Sequence, residues 1–234
     1  MPRPKRSIVY RGTSDNGISA FFYITVKGVG GAGHSPWLTK DPIVTAAQII
    51  TNLQSIVSRQ ANLSEGVAVI SVGQINAGNR INIIPEEATF SGTIRTLNEV
   101  TRTQVHEAVT RMAQKVSEAS GLTADVKINR TTAVLYNNPD LTLRMLPALE
   151  RAAGAGRVLE MPPGLAADDF AAFAAAAPGF YWFLNASPYA DRAGAPNHSP
   201  LFAVDEQYLK TGVKALVNVV LHYMQTSGVG QPAR

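Results

Sequence analysis

The sequence predicts a mixed α/β (α+β) chain, in which a ferredoxin-like β-α-β-β-α-β unit precedes a second unit of different texture. Three observations carry this. Residues 20–27, 67–75, 88–96 and 122–129 read as strands, rich in β-branched and aromatic residues. Two segments between them repeat apolar residues at spacings of three and four, as amphipathic helices do. From about Thr131 the composition becomes alanine-rich and punctuated by proline. The order of the first two patterns predicts an antiparallel sheet with both helices on one face.

Each element has a local reason. Residues 7–11 make a short strand, and Ser, Asp, Asn and Gly crowd residues 13–17 into a turn. In 20–27, Phe22, Ile24 and Val26 alternate with Phe21, Tyr23 and Thr25, which gives the strand one well-buried face. The glycine-rich stretch 28–42, GVGGAGHSPWLTKDP, is a corner whose glycines allow positive φ or a close backbone approach, and it presents His34. Asp41 is an N-cap and Pro42 suits the first helical position. That helix is striped by Ile43, Ala46, Ala47, Ile50, Leu53 and Val57 and ends near Arg59 or Gln60. Strands 67–75 and 88–96 are expected to pair antiparallel across a turn at 77–80 and a link at 82–85. Asn98 caps a second helix with Val105, Ala108, Val109, Met112 and Val116 inward, and Gly121 stops it.

In the second unit, Asn138-Pro139 starts a helix through Ala153, followed by a short strand at 158–160. A helix beginning near Ala167 or Asp168 would hold the acidic pair in its first turn, where the dipole favours it. Residues 180–184 form a buried strand and 185–200 a polar loop. Asp205 caps a final helix to about Gln225, striped by Leu209, Val213, Leu216, Val220 and Met224. Residues 227–234 are a frayed tail.

Composition excludes several classes. With 234 residues, 45% hydrophobic, and mean hydropathy near zero, the chain can bury one large or two small cores and is neither disordered nor membranous. No apolar run approaches the roughly 18–20 residues needed to span a bilayer, and the basic N-terminus has no apolar region behind it, so no signal peptide is expected. Without cysteine there are no disulfides or thiolate sites, and any metal must be held by His, Asp or Glu. The charge of +4 is scattered apart from Arg3, Lys5 and Arg6, so no nucleic-acid partner is expected. The expected location is cytoplasmic.

Several islands occur together: the corner with Pro36 and Asp41-Pro42-Ile43, LQSIVSR, VGQINAGNRINIIP, GTIRT, NNPDL, DDF, PGFYWFL, HSPLF and Asp205-Glu206. In these the chain resembles the lid domain and C-terminal part of the metal-dependent N-acyl amino acid amidohydrolases. These include hippurate hydrolases and auxin-conjugate hydrolases, within the aminoacylase and carboxypeptidase superfamily of zinc metallopeptidases. The resemblance implies that 1–18 ends the first half of a catalytic domain and that 19–130 is a ferredoxin-like lid forming a homodimer. Residues 131–226 would then be the C-terminal portion of an incomplete α/β catalytic domain. It further implies two divalent metal ions, zinc or manganese, and cleavage of the amide between an acyl group and an amino acid. A metal-bound water would attack and a glutamate would act as base. The sequence begins after the region that holds most family ligands and the base, so the chain is expected to be inactive and to bind no metal stably by itself. The alternatives are a non-catalytic dimerisation or small-ligand-binding module, or one half of a split enzyme whose missing N-terminal half is a separate chain.

By resemblance His198, in HSPLF, is a metal ligand; otherwise it is a solvent-facing loop histidine. The family places a histidine directly after paired glycines, where this chain has Ala32. His34 therefore either takes over that substrate contact through a slipped loop or is incidental. Asn82 is a substrate amide donor or a turn-stabilising residue, and Arg95 a carboxylate clamp or an exposed strand arginine. For Asp168 and Asp169, helix capping outweighs a paired acid-base role. His106 and His222 are assigned to structure or surface. The glycine corner lacks the Gly-Lys-Ser/Thr ending of a phosphate loop.

Overall fold

The computed structural model describes residues 7–11, 17–64, 66–162, 164–165, 167–189, 197 and 199–227. Its elements in chain order are β1 (Ile8–Tyr10), β2 (Ile18–Lys27), β3 (Gly31–Ala32), α1 (Pro42–Ser55), β4 (Ala68–Ala77), β5 (Ile83–Ile84), β6 (Glu87–Thr96), α2 (Glu99–Ala119) and β7 (Thr123–Arg130). They continue with α3 (Pro139–Ala153), β8 (Val158–Glu160), α4 (Phe170–Ala176), β9 (Trp182–Leu184) and α5 (Leu209–Thr226). The chain divides into two compact units. One comprises Met1–Asp15, Tyr136–Pro163 and Phe173–Arg234, the other Asn16–Leu135 and Gly164–Ala172.

The second of these holds a four-stranded antiparallel sheet in the order β4-β6-β2-β7, with β2 and β6 in the middle. That is the ferredoxin-like arrangement. The alternation in β2 puts Phe22, Ile24 and Val26 on the covered face, where they join Phe90 and Ile94 of β6, Ile49 and Leu53 of α1, and Val105 and Val109 of α2 in one core. Phe22 and Phe90 meet edge to face, 6.4 Å between centroids. On the opposite face Phe21 and Tyr23 are 40% and 47% exposed.

Caps are where the residues predict them. Asp41 accepts from the Ile43 amide at 2.8 Å, Asn98 from Thr101 at 2.8 Å, and Gly121 takes φ 71° after α2. A π-helical turn, Ile56–Gln60, carries α1 on to the expected end. The stripe of α1 needs correction. Thr45, Ala46, Ile49, Leu53 and Ile56 are buried, whereas Ile43 and Ala47 are exposed. Apolar residues lie on more than one face of this helix, so spacing alone could not choose between Ile49 and Ile50.

In the other unit β1 is the middle of a three-stranded sheet, parallel to β8 and antiparallel to β9. Helix α3 begins under an Asn138 cap, with the side chain accepting from Leu141 at 2.9 Å. Asn137 is 3% exposed and fixes three backbone groups. Its Nδ2 donates to the Arg11 and Tyr181 carbonyls at 2.8 and 2.9 Å, and its Oδ1 accepts from the Tyr181 amide at 2.6 Å.

Three expectations here are overturned. Helix α4 starts at Phe170, so Asp168 lies before it and accepts from the Phe170 amide at 2.9 Å. Strand β9 starts at Trp182 and is half-buried rather than buried. Asp205 caps the short 3-10 turn Glu206–Tyr208, and the predicted stripe of α5 faces outward: Leu209, Val213, Leu216, Val220 and Met224 are all more than 40% exposed. The inward face consists of Thr211 and Ala215, with half-buried Asn218 donating to the Ala148 carbonyl at 3.3 Å. Small side chains let α5 lie against α3, whose own seam is Ala148, Ala152 and Ala153. Among the described residues no helix is long and apolar enough to cross a membrane. The 13–16 part of the predicted turn, the basic residues Arg3, Lys5 and Arg6, and the tail beyond Ser227 lie outside the described residues.

Candidate functional site

The glycine corner is built by backbone pairing. As β2 ends, the Gly28 amide donates to the Glu86 carbonyl at 2.8 Å, and Val29 and Lys40 exchange amide-to-carbonyl bonds of 3.0 Å each. Strand β3 then pairs with β5, and the Gly33 amide donates to the Asn82 carbonyl at 2.9 Å. The stretch turns back through Pro36–Leu38 to the Asp41 cap.

Of the two roles predicted for the glycines, close approach is the one used. The described glycines with positive φ are Gly78, Gly121, Gly154 and Gly156, all outside the corner. A Cβ on Gly28 would lie 2.1 Å from the Lys40 carbonyl oxygen, and one on Gly30 2.9 Å from the Ile84 oxygen. The chain passes where side chains do not fit.

The β3–β5 ladder brings the His34 loop and the Asn82 link together, and both side chains are exposed. Beside them is a cavity of about 590 Å³ with walls that include Gly30, Gly31, Ile83, Asn76, Glu86 and Glu87. Asn82 directly precedes the lining residue Ile83, and neither it nor His34 lines the cavity. Asn76 belongs to the VGQINAGNRINIIP island, but the part that Glu86 and Glu87 play in this wall was not legible, because a two-residue ladder has no periodicity to detect. Nearby, Trp37, Leu38 and Ile81 are 77%, 73% and fully exposed.

Arg95 is elsewhere. In the β2–β6 register Lys27 faces Glu87 at the corner end, and Ser19 faces Arg95 at the other. Eight residues at the strand rise separate Glu87 from Arg95 by about 27 Å. Arg95 is half-buried, on the sheet face opposite the core. His198 lies outside the described residues; just after it, the Leu201 amide donates to Ser199 Oγ at 3.2 Å and Tyr189 Oη to the Leu201 carbonyl at 2.8 Å. Among the described residues no three His, Asp or Glu side chains come together as a metal centre would require, so these residues do not fit a dinuclear site by themselves.

Comparisons with known proteins agree with this architecture. Residues 16–120 match the family described as the peptidase dimerisation domain. Thermostable carboxypeptidase 2 of Saccharolobus solfataricus is 36% identical over 195 residues, 83% of this chain and 49% of that protein. N-acetyldiaminopimelate deacetylase of a Geobacillus species is 29% identical over 217 residues, 92% of this chain and 54% of that protein. The crystal structure of Bacillus subtilis YxeP, described as a dinuclear metal-binding peptidase from the M20 family, superposes with a TM-score of 0.68 at 24% identity. It covers 96% of this chain and 55% of YxeP, and supports the fold. The chain spans about half the length of these relatives. With 16–120 matching a peptidase dimerisation domain, and with relatives named as a carboxypeptidase and a deacetylase over most of the chain, the chain is similar to the M20 amidohydrolases and peptidases.

Proposed function

We propose that this chain serves as the dimerising, substrate-recognising lid and C-terminal part of an amidohydrolase that cleaves the amide bond of small N-acyl amino acids. The observation that carries the reading is the β3–β5 ladder. It ties the exposed His34 loop to the exposed Asn82 link, so that an imidazole and an amide are offered from one rigid corner. An amide donor and an imidazole can both bind the carbonyl or carboxylate of such a substrate.

Arg95 supports a homodimeric arrangement. It lies about 27 Å along β6 from the corner end, further than a small N-acyl amino acid reaches. If all three residues serve one substrate, His34 and Asn82 come from one copy and Arg95 from the other. The free edges of the sheet, β4 and β7, and the exposed helix faces are the surfaces for that pairing.

Hydrolysis requires more than the described donors bring together. His198 is the residue we propose as this chain's contribution to a metal centre completed by other ligands. The outward apolar face of α5, from Leu209 to Met224, favours assembly with further protein over a free-standing module.

Light scattering during gel filtration and calorimetric titration with an N-acetyl amino acid test the reading together. A dimer that binds the ligand, with affinity lowered at least tenfold in Asn82→Ala and in Arg95→Ala, is the expected result. A stable monomer, or binding indifferent to both substitutions, refutes it.

A further inference from the structure

A second cavity lies away from the corner, on the flank of the sheet where α2 runs beside the edge strand β7. It is a groove of about 530 Å³, within the range of small-molecule sites. His106, Thr110, Arg111, Gln114 and Lys115 enter it from α2, and Arg130 from the end of β7. The α2 residues recur at helical spacing and share one face; Arg130 is brought to them by the pairing of β7 with β2. Val126 and Ile128 form an apolar base, and Glu107 is the acidic member of the lining, outnumbered by three cations.

His106 makes this more than a charged surface. It is 7% exposed, and its Nε2 is buried with no hydrogen-bond partner among the described residues. An imidazole nitrogen left unsatisfied costs about 1–3 kcal/mol, so such a group normally has a ligand or water as partner. Its surroundings are cationic on both sides, with Arg130 from β7 and Arg102 one turn earlier on α2. Arg102 is itself paired with Glu99 and donates to the Thr132 carbonyl at 3.3 Å. Burial first, then Arg130 and Arg102, hold the imidazole down at about 4, as a positive local field would. Lys115 is engaged by Glu118 at 2.6 Å, and Arg111 by Gln60 at 3.3 Å through one nitrogen. Arg130 makes no ion pair among the described residues.

We propose that the α2–β7 groove is a binding site for a small anion of carboxylate or phosphate chemistry, held by Arg111 and Arg130 with His106 Nε2 donating from the floor. Gln114 and Thr110 are the neutral polar groups beside it; the Thr110 hydroxyl is already given to the His106 carbonyl at 3.0 Å, so Gln114 is the freer donor. An anion there would answer the unmatched arginine charge and the orphaned nitrogen together. The site is distinct from the corner and does not depend on the amidohydrolase reading.

Side-chain NMR of the purified chain tests this. The His106 ring and the arginine guanidinium signals are followed while inorganic phosphate, and separately acetate, is added at constant ionic strength. Saturable shifts centred on these residues are expected, with a Kd of about 1 mM or tighter for one of the two anions. Saturation by phosphate alone assigns phosphate chemistry; saturation by acetate assigns a carboxylate. The double variant Arg111→Ala, Arg130→Ala changes exposed side chains and should weaken binding at least tenfold, while Lys127→Ala on the other face of β7 leaves it unchanged. Shifts that grow linearly without saturating for both anions, or saturation undiminished in the double variant, would overturn the proposal.

Discussion

Gly28→Ala tests how the corner is built. The new Cβ would sit 2.1 Å from the Lys40 carbonyl oxygen, about 1.3 Å short of ordinary contact at 3.4 Å. The obstacle is backbone, so relief requires the segment at Lys40 to move away, which opens the Val29–Lys40 pair and its two 3.0 Å bonds. At a net 0.5–1.5 kcal/mol per bond the cost is about 2 kcal/mol, or about 1 M in the urea midpoint for a domain of this size. Urea unfolding followed by fluorescence reads the global effect. Amide exchange at Val29 and Lys40 reads the local one, which matters if the corner opens without the sheet. Gly73→Ala is the control, since nothing lies within 4 Å of its added carbon, and it should change stability by less than about 0.5 kcal/mol. Equal midpoints for the two variants, together with undiminished protection at Val29, would refute the close-packing account.

Asn137→Ala strips partners from the Arg11 and Tyr181 carbonyls and the Tyr181 amide, and should cost about 3 kcal/mol in denaturant melts. His106 stays neutral in the native state down to about 4, whereas in the unfolded chain it takes up a proton near its ordinary 6.5. The unfolded state therefore binds more protons between those values. Up to about 3 kcal/mol of stability, fully present above pH 6.5, should be lost as pH falls to about 4. His106→Gln should flatten that part of the stability–pH curve; an unchanged slope in the variant would assign the loss to other groups. Leu216→Asp, on the outward side of α5, should leave unfolding of the chain within about 0.5 kcal/mol while abolishing any association measured by light scattering through that face.

Local chemistry was the legible part of the sequence. Asn98 and Asn138 marked the starts of α2 and α3 because a cap depends only on the amides two or three residues ahead. The sheet arrangement followed from the succession of strand and helix patterns, and the buried face of β2 from its alternation, where a shift of one residue would turn Phe22 to solvent. The buried side of a broadly apolar helix was not legible. Helix α1 hides Ile49 instead of Ile50, and α5 buries Thr211 and Ala215 while displaying its large side chains, because the neighbouring helix selects for close approach. At the corner the residues His34 and Asn82 were found from their motifs, but that Arg95 stands at the far end of β6 depends on pairings 60 or more residues apart in sequence.

The place of Ile8–Tyr10 in its sheet bears on how the protein is made. These three residues precede sheet β4-β6-β2-β7 in sequence, yet their partners, Val158–Glu160 and Trp182–Leu184, follow it. Sheet β4-β6-β2-β7 has all its strands, and its two helices are complete, once Arg130 has emerged, so this unit can fold during synthesis. Strand β1 must meanwhile wait unpaired, its apolar Ile8 and Val9 uncovered, until Val158–Glu160 and Trp182–Leu184 have been made. Closing so long a loop is slow, and a chaperone that holds this nascent strand would act during that interval.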